Sequence, residues 1–371
     1  MTIEILYLVH DLNDAAVKRR LAFLKQSFHV KFIGFRRDTR DCSQPEEEGS
    51  ICLGITRDAQ LLHRLRSVFG SLLVIIPHLS ILRRSQIIIC RNLENAILAI
   101  LWQSLFGLNA KVLFECLDIQ RHLTGFGPLG IVLRVVERFV LKRVDAVLTS
   151  SPAFAEKYFL PSQKAKVPFL IVENKLSIET QEQSIPLVQR PVKIGFFGIL
   201  RCRKSFDYLL DVSRRRPDLL KIQIAGRPFR DVFPDLESEL HSGTRYLGPF
   251  KPEGIASLYE TIQFSWAIDY FESGFNSCWL LPNRLYESLA FGRVPIAVEG
   301  TETAYFLRQR GVGLILEDIA ELERVLSGLT SDEFADICRR IKNLDQQDLL
   351  FVAEDQRNLV EKIRVLSSST A

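Results

Sequence analysis

Two series of short apolar runs, each followed by a helix-length stretch, constrain this fold more than any single motif. The first opens with the continuous apolar run "IEILYLV" at 3–9. A run of that kind suits a strand covered on both faces, as in a parallel sheet. Residues 14–26 then place Val17, Leu21 and Leu24 on one helical face. Strand-like runs recur at 29–35, 86–90, 111–116 and 146–151, with helix-like stretches at 93–106 and 128–142. Residues 173–191 are polar, carry prolines near their end and read as a linker. A second series follows, with strands at 192–198, 221–226, 244–250, 263–268 and 294–299 and helices at 205–214, 252–261 and 283–291. The pattern predicts the α/β class: two Rossmann-like domains, 1–172 and 192–347, with a cleft between them. Residues 348–366 have helical periodicity and close the chain.

A length of 371 residues also favours two domains over one core. With 47% hydrophobic and 25% charged residues, the composition is that of a globular protein. The seven cysteines are odd in number and form no Cys-x-x-Cys pair, which points to a reducing cytoplasm and free thiols. No Cys and His set has zinc spacing, so no metal and no cofactor is expected. Met1–Val9 is too short and too poor in bases for a signal peptide. The apolar runs at 71–82 and 96–108 fall short of the roughly 20 residues that cross a bilayer. Charge is uneven, however. Residues 1–175 hold 24 Lys and Arg against 16 Asp and Glu, whereas 176–371 hold 24 against 28. A basic first half suits an anionic partner or an ordinary solvated face.

Ligands of doubly wound sheets bind at the carboxyl ends of the strands, so the residues there decide function. No Gly-x-Gly-x-x-Gly, P-loop or Gly-x-Ser-x-Gly follows any predicted strand. Nicotinamide oxidoreductases, P-loop ATPases and esterases are thereby disfavoured. Instead, Gly198 ends a strand, Arg201, Arg203 and Lys204 follow, and an apolar helix begins. Bases beside a helix N-terminus make a site for a diphosphate. Further on, Pro282 and Asn283 open a short apolar helix that carries Glu287, and Gly292 ends it. The amides of Asn283, Arg284 and Leu285 are expected to face a phosphate.

The stretches "GILRCRKSFDYLL" (198–210), "IQIAG" (222–226), "RYLGPFKPEGIASLYE" (245–260) and "PNRLYESLAFGRVPIAVEG" (282–300) occur in that order. In this they resemble GT-B fold glycosyltransferases of the family 4 type that build bacterial exopolysaccharides and lipid-linked oligosaccharides. Weaker echoes at 87–100, 112–123, 136–151 and 170–175 look like that group's acceptor domain. The resemblance implies a nucleotide-sugar donor, expected to be UDP-linked with GDP or another nucleotide as alternatives, and a metal-independent, retaining transfer. It implies domains facing each other, with a C-terminal helix over 348–371 that packs back on the first. Lys204 falls on the family's diphosphate-contacting lysine, and Arg201 stands near its arginine, whose own position is Ile199. Glu287 falls on the second of two glutamates eight apart and would bind the donor ribose. The first falls on Trp279, where an acid is absent; Glu272, Asn276 and Ser277 are the nearby polar residues.

On the acceptor side, Asp118 follows a predicted strand and could take the proton of an acceptor hydroxyl. Glu115 and His122 are alternatives, and a helix-capping role for either acid is also open. Asp11 and Asn13 occupy the loop after the first strand. The absence of any Asp-x-Asp fits a metal-free reaction. The expected acceptor is a saccharide or a polyprenyl-diphosphate-linked saccharide in cell-surface polysaccharide synthesis. Lys18, Arg19, Lys25, the stretches at 35–40 and 81–86, and the apolar 71–82 suggest contact with the inner face of a membrane. No nucleic-acid motif appears. A non-catalytic nucleotide-sugar-binding protein and a sugar-nucleotide 2-epimerase are the alternatives. The epimerase is disfavoured by a C-terminal half whose single histidine is His241.

Overall fold

The apolar runs form the strands of two parallel sheets. A computed structural model of the chain describes residues 3–37, 49–56, 70–71, 73–119, 121–125, 127–176 and 189–368. The chain divides into unit 1, residues 1–172 with 356–371, and unit 2, residues 173–355.

In unit 1 the strands are β1 (Glu4–Val9), β2 (His29–Arg37), β3 (Ile51–Thr56), β4 (Ile87–Arg91), β5 (Lys111–Cys116), β6 (Ala146–Thr149) and β7 (Phe169–Ile171). Their order is β3-β2-β1-β4-β5-β6-β7, and every neighbouring pair is parallel. Ile5 lies between Val30 and Ile87, and Ile5 to Val9 are fully buried, as an unbroken apolar run requires. The helices include α1 (Ala15–Lys25), α2 (Leu79–Arg84), α3 (Leu93–Phe106), α4 (Arg121–Thr124) and α5 (Pro128–Leu141). Asp14 caps α1 by accepting from the Val17 amide, and Gly107, at φ 61°, ends α3. Strand order reverses between β1 and β4, which opens a crevice at their carboxyl ends. Sequence pattern missed β3 and β7, edge strands; Gly54 interrupts the apolar run of the first, and the second has only three residues.

Unit 2 holds β8 (Val192–Phe197), β9 (Leu220–Ala225), β10 (Thr244–Tyr246), β11 (Phe264–Trp266), β12 (Val294–Val298) and β13 (Leu314–Leu316). The order is β10-β9-β8-β11-β12-β13, again parallel throughout, with the reversal between β8 and β11. Its helices include α6 (Arg203–Arg215), α7 (Ile255–Glu260), α8 (Asn276–Trp279), α9 (Asn283–Ala290), α10 (Glu302–Arg310) and α11 (Ser331–Lys342). The expected strand at 244–250 shrinks to three residues, because Gly248, at φ 77°, turns the chain. Pro252 opens a single 3-10 turn, so the expected helix at 252–261 becomes α7.

The expected linker at 173–191 lies partly outside the described residues, at 177–188. Its first residues belong to unit 2. Asn174 Nδ2 donates to Leu281 O at 3.2 Å, Lys175 pairs with Asp355 at 3.0 Å, and Leu176 bridges to Leu350. The last helix, α12 (Ala353–Ser368), starts five residues later than expected. From residue 356 on it groups with unit 1, where the Gln356 amide donates to Ser27 Oγ at 2.9 Å. No helix of the described residues is long and apolar enough to cross a membrane. The cysteines among them are all free.

Candidate functional site

The crevice of unit 2 is lined with bare backbone and cationic side chains. Gly198 follows β8 at φ 115°, and Gly226 follows β9 at φ 136°. A Cβ on Gly226 would lie 1.7 Å from the Gly198 carbonyl oxygen, whereas one on Gly198 would meet nothing within 4 Å. The two loops therefore touch through backbone, and the space above Gly198 stays open. Cys202 caps α6, its sulfur accepting from the Ser205 amide at 3.4 Å and from the Tyr270 amide at 3.1 Å. One thiol thus joins the loop after β8 to the loop after β11.

Those loops bring Arg201 and Asp269 together. Arg201 donates from Nε at 3.1 Å and from Nη2 at 3.0 Å to one oxygen, Asp269 Oδ2. Arg284, in the first turn of α9, approaches the same oxygen at 4.0 Å. Asp269 Oδ1 meanwhile accepts from the Phe271 amide at 2.8 Å. Burial alone would raise the Asp269 pKa, but Arg284 and Arg201 outweigh it and hold the carboxyl below its ordinary value. Two guanidiniums thus converge on one carboxylate oxygen. The buried Arg284 Nε has no hydrogen-bond partner among the described residues. Lys204 adds an exposed ammonium 4.1 Å over the Tyr270 ring. Arg203, also in the basic run, instead pairs with Asp207 and Glu239.

On α9, Pro282 is the N-cap and Leu285 donates its amide to the Pro282 carbonyl at 2.9 Å. That corrects one expectation: the Leu285 amide is engaged inside the turn and does not face outward. Leu285 to Ala290 are all buried, so the helix is enclosed on every side. Glu287, 6% exposed, accepts from the Tyr259 hydroxyl at 3.0 Å. Burial and the Glu287 charge push the Tyr259 hydroxyl well above the usual tyrosine range. Gly292, at φ 67°, follows the helix as expected. Asn276 and Ser277 are buried on α8, and Ser277 Oγ accepts from the Glu272 amide at 3.0 Å. Trp279 ends α8 edge-on to Phe275, ring centroids 6.1 Å apart, so an aromatic pair stands where an acid was expected.

In unit 1, Asp118 is exposed in the bend after β5, and its carbonyl accepts from Cys116 Sγ at 3.5 Å. His122 is exposed on α4. Asp11 and Asn13 share the turn after β1, with the Asn13 amide donating to Asp11 Oδ1 at 3.1 Å. Glu115 is fully buried instead. It accepts from Tyr7 Oη at 2.7 Å and Arg20 Nε at 2.9 Å, with Arg91 Nη1 3.7 Å away. Burial would raise its pKa, but Arg91 and Arg20 hold the carboxyl below its ordinary value. A carboxylate so enclosed is a structural anion, not an alternative base to Asp118.

Sequence reasoning passed over Asp269, Tyr259, Arg20 and Arg91. Asp269 had a signal, since it stands three residues past the buried "FSW" strand. The others lie within strands or helices where pattern reads only packing.

No protein-family model matches the chain. It is 37% identical over 379 residues to the succinoglycan biosynthesis protein ExoL of Rhizobium meliloti (strain 1021), covering 98% of this chain and 94% of that protein. Among solved structures it is similar to a sucrose-phosphate synthase from Thermosynechococcus elongatus, with a TM-score of 0.73 and 14% identity over 99% of this chain and 100% of that one. It is also similar to Anabaena HepE in complex with UDP-glucose, with a TM-score of 0.71 and 13% identity over 98% and 100% of the two chains.

Proposed function

The chain belongs to the family of the succinoglycan biosynthesis protein ExoL, as a GT-B-fold glycosyltransferase of exopolysaccharide type, and on that premise we propose its donor, its acceptor and the residues that serve them. The donor is a nucleoside-diphosphate sugar, taken as UDP-linked from the UDP-glucose complex of HepE. The observation that carries this is the convergence of the Arg201 and Arg284 guanidiniums at Asp269, beside the open backbone at Gly198. A diphosphate suits it, because charge that develops on the leaving group meets donors already in place. Lys204 and the Asn283 end of α9 add to the same field. Glu287, fixed by Tyr259, takes the ribose diol.

The acceptor is a saccharide, carried on a polyprenyl diphosphate at an anionic membrane surface. The bond from the anomeric carbon to the diphosphate breaks as the bond to the acceptor oxygen forms, and the hydroxyl proton leaves. Asp118, exposed after β5, orients that hydroxyl or takes its proton, with Asp11, Asn13 and His122 on the acceptor side. The positive charge at the diphosphate comes from side chains, so the reaction needs no metal.

The test is turnover of labelled UDP-sugars by the purified protein with membrane lipid extract. A lipid-linked sugar product, undiminished by EDTA, is expected. UDP-sugar binding without transfer or hydrolysis would make the protein a non-catalytic binder, and isomerised donor would make it an epimerase.

A further inference from the structure

The helix that follows the acceptor-side loop presents to solvent a face that a water-soluble surface does not need. On α5, Leu129, Ile131, Val132, Val135 and Phe139 are between 42% and 57% exposed. At 3.6 residues per turn, Ile131, Val132, Val135 and Phe139 fall within roughly 100° of one another, with Leu129 at the margin. Arg138, Lys142 and Arg143 are exposed along the same side, and the Arg143 guanidinium lies 3.7 Å over the Phe139 ring. Arg138 Nη2 also donates to Ser162 O at 3.2 Å.

The inner side fixes this orientation. Glu137, the acid of residues 126–144, points inward and is fully buried. Tyr158 Oη and Gln163 Nε2 each donate to its Oε2 at 2.6 Å. Arg134 Nη1 donates to Leu123 O at 2.8 Å and Gly125 O at 2.7 Å, which ties α5 to the α4 loop. The outward face is therefore apolar and basic without an acid.

That composition selects its partner. A second copy docked on the same face would set like charges against each other, which opposes a symmetric dimer. A bilayer with anionic headgroups satisfies both halves of the face: apolar side chains enter the acyl boundary and the bases stay with the phosphates. At about 21 Å, α5 is too short to span the roughly 30 Å hydrocarbon layer, so it would lie in the interface.

We infer that α5 seats unit 1 on an anionic bilayer, apolar face inward. Asp118 and His122 lie within the ten residues before α5, so this seating brings their loop to a lipid-borne acceptor. The inference rests on the lipid-linked acceptor proposed above.

The test is co-sedimentation of the full chain, without nucleotide or acceptor, with vesicles of phosphatidylcholine alone or with about 30% phosphatidylglycerol. The wild type should pellet with the anionic vesicles. Val135→Asp with Phe139→Asp should weaken this on the order of tenfold, as should Ile131→Asp, with UDP binding intact. Lys142→Ala with Arg143→Ala should remove the preference for anionic lipid. Wild type that stays in solution, or variants that pellet like wild type, would overturn the inference. So would variants that split a solution dimer without altering sedimentation, since the face would then belong to a second copy. Transfer to lipid-free saccharide by a protein that does not bind vesicles would sink this inference and spare the glycosyltransferase reading. Vesicle binding without any transfer would do the reverse.

Discussion

Units 1 and 2 share a doubly wound parallel sheet with one reversal of strand order, and each gathers charge at that reversal, between β1 and β4 and between β8 and β11. The uses differ. In unit 1 Glu115 is enclosed by Arg20, Arg91 and Tyr7, with Asp14 3.9 Å from Arg91, so cations and anions balance among themselves. In unit 2 the Asp269 carboxylate faces Arg201 and Arg284, and glycines keep side chains off the strand ends. An enclosed cluster stabilises a fold; one beside open, bare backbone is prepared for an anion. The same place in the same topology is structural in one unit and ligand-directed in the other, so the position of charge says less than its enclosure.

That contrast can be broken by experiment. Glu115→Ala would leave Arg20 without its carboxylate and buried Arg91 with Asp14 alone, and should cost about 3–5 kcal/mol by urea denaturation. A loss within error of zero would mean that the unit 1 cluster is not structural. Glu287→Ala should lower UDP affinity about 10- to 100-fold by calorimetry, since it removes a charge-assisted acceptor for the ribose. Glu287→Gln keeps an acceptor for Tyr259, so it separates ligand contact from folding. Lys204→Ala should lower kcat about tenfold with stability nearly unchanged, because its ammonium is exposed. Normal kcat would remove it from the diphosphate site.

The smallest effect sharpens the picture inside unit 1. Burial pushes the Glu137 carboxyl up from an ordinary 4.5 to about 7, despite hydrogen bonds from Tyr158 and Gln163. Folded Glu137 thus holds its proton more tightly than the unfolded side chain. Its contribution to stability is full below about pH 4.5 and is lost as pH rises through 7. Glu137→Gln should therefore flatten the fall in Tm between pH 5 and 8 by a few degrees. A slope equal to that of the wild type would assign the pH dependence elsewhere.

Much of the fold was legible because buried parallel strands are written as unbroken apolar runs, as in 3–9 and 192–198. β3, β7 and β13 were not, since Gly54 breaks the apolar run of β3 and the three residues of β7 and of β13 are too few to separate from loop. Of the candidate site, the basic run at 201–204 and Glu287 stood out as charge in unusual company. Asp269 did not. One aspartate after a strand looks like any turn until the fold sets Arg201, 68 residues earlier in the chain, against it.

The sequence by itself determined two parallel α/β units, the glycines at strand ends and the bases beside a helix start, because each depends on local periodicity or backbone freedom. Only the tertiary structure decided which charges neutralise one another. It paired Arg203 with Glu239 and left Lys204 exposed, closed Glu115 inside a cage, engaged the Leu285 amide, and turned the apolar side of α5 outward. Those outcomes depend on contacts between residues far apart in the chain, and electrostatic energy follows distance and burial rather than order in sequence.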